Sequence, residues 1–324
     1  MRAVLCTGTN GSEGLTVADV ADPTPEAGQV IVAVRAASVD FVDTLIISGR
    51  YQVPVPRPFV PGNNVAGVVV EVGPDCSRFA VGDRVHGMAF IGAFAEKVPV
   101  AEQQLRPTPD GLDPGTACLT GAPWRTAYDS IVSRGELRAG EDLVVLGASG
   151  AVGSAAVLIG KALGARVIAC ASTQEKLDFC GTLGADAGVL YSAPGFKDAL
   201  KAACPGGADV VLDMVGGEYS EPALRATGYG GRFVVVGFAA GAPARVPLNL
   251  PLLKGSRVIG YEIADFESRE AEEAARNRDA LETMLVEGTF IPPITGRMSL
   301  DTAIDAIRLV GGRDKLGATI LEMS

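Results

Sequence analysis

Histidine is almost missing from this chain: His86 stands alone among 324 residues. A single imidazole excludes a multi-histidine metal site and any mechanism that needs two histidines. Tryptophan is as scarce, with Trp124 only, and aromatic residues amount to 6%. The six cysteines (Cys6, Cys76, Cys118, Cys170, Cys180, Cys204) are scattered, with no C-x-x-C pair and no Cys/His cluster. Reduced thiols and a cytoplasmic setting are the expectation. Positive charge is in short supply, with 28 Lys+Arg against 38 Asp+Glu and a net charge of −10. Without Lys/Arg runs, neither nucleic acid nor an anionic membrane surface is an expected partner. The first residues, Met1-Arg2-Ala3-Val4-Leu5-Cys6-Thr7, soon turn polar and carry no signal-peptide core. Residues 143–160 are uncharged, but their Gly, Ala and Ser content suits a buried strand, a loop and a buried helix rather than a membrane span.

Glycine, by contrast, is abundant: 41 of 324 residues, well above the usual ~7%. There is no G-x-y period, and 48% of the chain is hydrophobic, so the excess signals neither collagen nor disorder. It marks positions of positive φ or close backbone approach. The length suits two domains of ~150 residues. Residues 1–122 read as mostly β, with branched runs at 30–36 and 66–72 bounded by Gly and Pro. From about 140, short apolar strands alternate with helices: strands at 143–146, 166–170, 188–190, 209–213 and 232–236. That alternation predicts a parallel sheet covered on both faces. Beyond 264, residues 265–288 read as a charged, solvent-facing helix. A strand at 294–298, a helix at 299–310 capped by Ser299 and a strand at 316–321 follow. The expected organisation is a β-rich domain, 1–122 and 265–324, interrupted by a dinucleotide domain, 123–264.

The loop after the first strand of that inner domain reads Gly147-Ala148-Ser149-Gly150-Ala151-Val152-Gly153-Ser154, an A-x-G-x-x-G variant. Gly150 lets the backbone approach a pyrophosphate, and Gly153 lets the helix pack close on the strand. The helix start offers free N–H groups and a positive dipole end to phosphate. The next strand leads into Ala171-Ser172-Thr173-Gln174-Glu175-Lys176. NAD-binding folds place a carboxylate here to accept the ribose 2′-OH. None follows the strand directly, whereas hydroxyls and Lys176 suit a 2′-phosphate, and Glu175 in the first helical turn is expected to face solvent. The predicted cofactor is NADPH.

At this point the chain resembles the medium-chain dehydrogenase/reductases, in particular their zinc-independent NADPH:quinone oxidoreductase branch. In the first domain the resemblance rests on Asp40-Phe41-Val42-Asp43, Ser48-Gly49-Arg50-Tyr51, Phe59-Val60-Pro61-Gly62, Val65-Ala66-Gly67-Val68-Val69 and Val81-Gly82-Asp83-Arg84-Val85. Further on it rests on Thr126-Ala127-Tyr128, the Gly-rich loop, Lys161-Ala162-Leu163-Gly164-Ala165, Leu183-Gly184-Ala185-Asp186, Asp213-Met214-Val215-Gly216-Gly217, Gly230-Gly231-Arg232 and Pro247-Leu248-Asn249-Leu250. It implies an α/β fold, with a GroES-like β-rich catalytic domain, a Rossmann doubly wound parallel-sheet cofactor domain and an active site between the two. It also implies a homodimer formed by extending the Rossmann sheet near residues 256–262. Cofactor contacts are implied at Thr126, Ser149, Gly150, Ala151, Val152, Gly153, Ser172, Lys176, Tyr191, Gly237 and Phe238. An Arg that follows the Tyr in many members is Ser192 here.

Departures from the family pattern carry information. The zinc-dependent branch has Cys where Asp40 stands and His-Glu where Asn63-Asn64 stand, so no metal is expected. His86 is expected to be structural or pocket-lining. The quinone branch usually carries Asn in place of Asp40. An Asp keeps the shape but loses two donors, and buried beside a cofactor it should have a raised pKa. Asn63, Trp124 and Arg125 are expected along the substrate pocket, with an ordinary core position as the alternative for Trp124. Tyr51, eleven residues after Asp40, has the spacing of the Asn–Tyr pair in related enoyl-thioester reductases and is the candidate proton donor.

Without a metal to polarise a carbonyl, the favoured acceptors are small and already electrophilic. Hydride transfer from NADPH to a quinone is the first expectation, with Tyr51 and Asp40 at the catalytic centre. A carbon–carbon double-bond reductase acting on enones, acrylates or enoyl thioesters is the alternative, and a non-catalytic NADPH-binding protein a minor one.

Overall fold

The computed structural model describes residues 1–323. They gather into two units, one formed by residues 1–123, 285–287 and 291 onward, the other by 124–284 and 288–290. In the first unit, β1 (Arg2–Cys6) and β2 (Leu15–Asp19) make an antiparallel ribbon. The long branched run of β3 (Gln29–Val39) pairs antiparallel with β4 (Asn64–Val72), which pairs with β5 (Arg84–Met88). β6 (Lys97–Ala101) also pairs with β3, and β7 (Leu105–Pro107) pairs with β5. Val30, Val32, Val65, Phe94 and Leu105 fill the interior at 2% exposure or less. Helix α1 (Phe41–Ile47) starts one residue after β3 ends, which puts Asp40 at the junction. Two short helices, α2 (Pro114–Leu119) and α3 (Ala122–Asp129), follow β7.

The second unit takes its shape from continuous apolar strands. β8 (Asp142–Leu146) carries Leu143, Val144, Val145 and Leu146, all fully buried. A strand buried on both faces has no polar alternation to show. It runs into α4 (Ala151–Ala162), β9 (Arg166–Ala171), α5 (Gln174–Thr182), β10 (Ala187–Leu190) and α6 (Phe196–Ala203). β11 (Ala208–Asp213), α7 (Ser220–Ala226), β12 (Thr227–Val235), α8 (Asn249–Lys254) and β13 (Arg257–Gly260) complete the alternation. All neighbours pair parallel in the order β10-β9-β8-β11-β12-β13. This is the doubly wound Rossmann order, whose switch point falls between β8 and β11. The uncharged stretch 143–160 is thus strand, loop and helix. Among the described residues no helix is long and apolar enough to cross a membrane.

The segment 265–288 differs from its expectation as one solvent-facing helix. It forms α9 (Ile263–Arg269) and α10 (Ala271–Val286), and Phe266, Ala274, Asn277 and Leu281 are buried. Asn277 Nδ2 donates to Asp129 Oδ1 at 2.8 Å, and Tyr261 donates to Oδ2 of the same carboxylate at 2.8 Å. These helices therefore pack with the second unit, and the chain rejoins the first near 285 rather than 265. There β14 (Ile294–Ser299), α11 (Ala303–Gly311) and β15 (Ala318–Glu322) complete a seven-stranded sheet ordered β14-β15-β3-β4-β5-β7, with β6 paired to β3.

Candidate functional site

The glycine loop sits at the carboxyl end of β8, beside the switch point. Gly147 has φ +77, a left-handed conformation that lets the chain turn sharply out of the strand. A Cβ on Gly153 would lie 2.2 Å from the Gly147 carbonyl oxygen and 2.6 Å from Ala148 Cα. Only glycine lets α4 pack this close to the loop. Gly150 is the N-cap of α4, so Ala151, Val152 and Gly153 form its first turn, while Ser149 is buried just before it. Their backbone N–H groups lie where a helix start leaves donors without intrahelical partners.

At the end of β9 the residues expected to read the ribose phosphate come together. Lys176 Nζ donates to Ser172 Oγ at 3.1 Å, and Ser192 Oγ donates to the Ser172 carbonyl at 2.7 Å. The Tyr191 backbone N–H bonds the Ala171 carbonyl at 3.1 Å, and its ring lies 4.6 Å from that of Tyr219. Glu175 is exposed in the first turn of α5. One cation, two hydroxyls and a tyrosine thus share one corner. The cradle at Gly153 and this donor set both fit a dinucleotide with a 2′-phosphate.

Gly237 and Phe238 lie on the loop after β12, and Phe238 is 42% exposed. Asp213, at the tip of β11, had a place in the motif resemblance but not among the expected site residues. Its buried carboxylate accepts from the Val215 and Gly216 N–H groups, each at 2.9 Å, and from Ser220 Oγ. Its carbonyl accepts from the Val236 N–H at 2.9 Å. Asp213 thereby fixes the two loops at the switch-point end of β11 and β12. A strand-terminal Asp followed by Gly-Gly was the signal for it. Thr126 lies half-buried on α3.

The first unit holds a buried polar knot. Asp40 Oδ2 accepts from Ser38 Oγ at 2.5 Å and from Asn64 Nδ2 at 2.7 Å, while Asn64 Oδ1 accepts from the Ala122 N–H at 2.9 Å. Asp43 Oδ2 accepts from the Asp40 N–H at 2.7 Å, and Asp43 Oδ1 is buried without a hydrogen-bond partner. Burial raises the pKa of Asp40, opposed by the bonds from Ser38 and Asn64 and by the charge of Lys315. Burial, then the neighbouring Asp40, pushes Asp43 well above the usual carboxylate range. The expected rise at Asp40 is therefore present, and Asp43 goes beyond what the spacing alone suggested.

Tyr51, half-buried after α1, has its ring centroid 6.3 Å from that of Phe90. Asn63 is buried, and its Nδ2 donates to the Phe90 carbonyl at 3.4 Å. His86 is 2% exposed on β5, with Nδ1 3.2 Å from Thr108 Oγ1.

Trp124 and Arg125, expected along the substrate pocket, are both buried. Trp124 is 1% exposed and stacks on Phe290 at 5.0 Å, a packed position. Arg125 is 5% exposed and ion-paired to Glu267 at 3.5 Å. Its guanidinium serves the packing of α9, and both side chains belong to the interior of the second unit. Among the described residues no group of three His, Cys, Asp or Glu is disposed to hold a metal ion.

Comparisons with known proteins agree with this architecture. The family described as alcohol dehydrogenase GroES-like domain matches residues 26–110, and that described as zinc-binding dehydrogenase matches 151–278. The chain is 32% identical over 324 residues to quinone oxidoreductase-like protein 2 of Rattus norvegicus, covering 99% of this chain and 92% of that protein. A probable oxidoreductase from Mycobacterium abscessus superposes with TM-score 0.90 at 34% identity, covering 100% of this chain and 99% of that one. The quinone oxidoreductase from Thermus thermophilus, whose structure was also solved in complex with NADPH, superposes with TM-score 0.85 at 31% identity over 100% of both chains. The chain belongs to the medium-chain dehydrogenase/reductase superfamily, in its quinone oxidoreductase branch.

Proposed function

We propose that this oxidoreductase binds NADPH and passes hydride to a small electrophilic acceptor, a quinone foremost. The observation that carries the cofactor assignment is the corner at the end of β9. There Lys176, Ser172 and Ser192 converge where an NAD-specific fold would keep a carboxylate. The solved Thermus relative was crystallised with the same dinucleotide. Ser149 through Gly153 would hold the pyrophosphate at the start of α4, and the Asp213-braced loops, with Gly237 and Phe238, would border the nicotinamide side. Thr126 is proposed among the cofactor contacts, as are Lys176 and Tyr191 at the ribose phosphate. Bound NADPH supplies a hydride, and a solvent proton completes reduction of a quinone to its hydroquinone.

The same reading makes the reaction independent of zinc. At the family's zinc-ligand positions stand Asp40, Asn63 and Asn64, and Asp40 Oδ2 is already occupied by two donors. Carboxamides are poor zinc ligands, so an acceptor needing no Lewis acid fits best. Tyr51 is the candidate to orient the acceptor and, for an enone, to protonate the enolate. Its half-buried ring beside Phe90 keeps the double-bond reductase reading as the second one. Steady-state oxidation of NADPH against quinones, enones and enoyl thioesters tests both. Turnover confined to enoyl thioesters would overturn the quinone assignment.

We also propose a homodimer joined along β13. This strand is the sheet's edge, and Val258, Leu252 and Leu253 stand 46%, 80% and 72% exposed around it. A second copy would cover them by continuing the sheet.

A further inference from the structure

Phe90 combines two features that ordinary surface residues avoid. Its backbone has φ +63, a conformation bulky side chains rarely adopt, and its ring is 37% exposed. The Ile91 N–H bonds the Ala89 carbonyl at 2.8 Å, closing a three-residue turn with Phe90 at its strained centre. Segment 61–63 clamps that turn from one side. The Ala89 N–H donates to the Asn63 carbonyl at 2.7 Å, and the Ala93 and Phe94 N–H groups donate to Gly62 and Pro61 at 3.1 and 2.9 Å. Asn63 Nδ2 reaches the Phe90 carbonyl itself, although this leaves Asn63 Oδ1 buried without a partner. Strain held by several surrounding bonds points to a use for the displayed ring.

That ring faces another. The Tyr51 and Phe90 centroids lie 6.3 Å apart with planes inclined at 44°, so the pair opens as a wedge instead of stacking closed. A flat conjugated ring can lie on one face and present its edge to the other, the geometry aromatic groups favour. Resting on the oxidoreductase reading above, we propose that Phe90 and Tyr51 form an acceptor subsite for planar ring quinones, positioned by Asn63. It would favour a bicyclic naphthoquinone over an acyclic enone.

The test compares Phe90→Ala, Phe90→Tyr and Asn63→Ala with the parent protein, using a naphthoquinone and an acyclic enone as acceptors. Removing the ring should raise KM for the naphthoquinone about five- to tenfold, with kcat nearly kept. The enone KM and the affinity for NADPH should stay unchanged. Phe90→Tyr should restore the quinone KM, and Asn63→Ala should raise it although the ring is retained. Naphthoquinone binding to the NADP+-loaded protein, followed by calorimetry, should weaken in parallel in Phe90→Ala. Equal KM changes for the two acceptors, or unchanged naphthoquinone binding, would overturn the subsite. Should no acceptor be turned over, the function reading fails while the calorimetric comparison still decides the subsite. Phe90→Gly supplies a folding control: it relieves the positive φ and should melt above Phe90→Ala. A lower melting point would remove the argument from strain.

Discussion

At the scale of single residues, Asp40 and Asp43 offer a direct test through pH. Burial raises both carboxyls above their ordinary value of 3.8, so the folded chain holds protons that the unfolded chain has released. Stability from this pair is complete below the unfolded pKa and is lost as pH rises through the folded one. Asp40→Asn keeps an oxygen for Ser38 and Asn64 and removes the buried charge. Its melting temperature, measured by calorimetry, should gain on the parent's as pH rises above the ordinary carboxyl value of 3.8. Parallel curves for the two proteins would show that Asp40 does not titrate across that range. Residue identity alone announced Asp40, because Asp stands there in place of the family's usual Asn. Phe90 had no such signal: its positive φ sits in a turn hydrogen-bonded to residues 61–63, distant in sequence. Trp124 and Arg125 show the opposite limit, since their partners Phe290 and Glu267 lie far along the chain and no local motif names them.

At the scale of elements, the β8–α4 turn and the start of α5 carry the cofactor prediction. Gly153→Ala forces α4 off the loop, because the new methyl would stand 2.2 Å from a carbonyl oxygen. It should destabilise the protein by about 1–3 kcal/mol, the usual result of overpacking, and weaken NADPH binding, both visible in thermal shift assays with and without the nucleotide. Lys176→Ala removes a cation from the corner at Ser172. A lost charge-assisted bond should weaken NADPH about 10- to 100-fold while leaving NADH nearly unaffected. Tighter binding of NADH than NADPH by the parent protein would contradict the assignment. These elements were readable because strand, glycine spacing and cap are local patterns. The helices of 263–286 were less so: their charged residues suggest a solvent-facing helix, yet Asp129, 148 positions before Asn277, draws α10 inward.

For the whole molecule, the proposed dimer along β13 makes a clear prediction. Replacing Leu252 and Val258 together by Lys should move the protein from dimer to monomer in sedimentation velocity while leaving its circular dichroism intact. Unchanged sedimentation would place any association elsewhere. The sequence made the two-part organisation visible through its change of rhythm near 122. The second boundary was obscured because a helical segment following a parallel sheet can return to either unit, and only packing decides.

The burial of Trp124 has a spectroscopic consequence. As the chain's only indole, stacked on Phe290 within the second unit, it reports on the packing of that unit. Its emission should be blue-shifted and poorly quenched by iodide in the native protein. If the β-rich unit melts first, circular dichroism would change while the fluorescence stays native. The scarcest aromatic in the chain thus provides a way to follow the two units separately as they unfold.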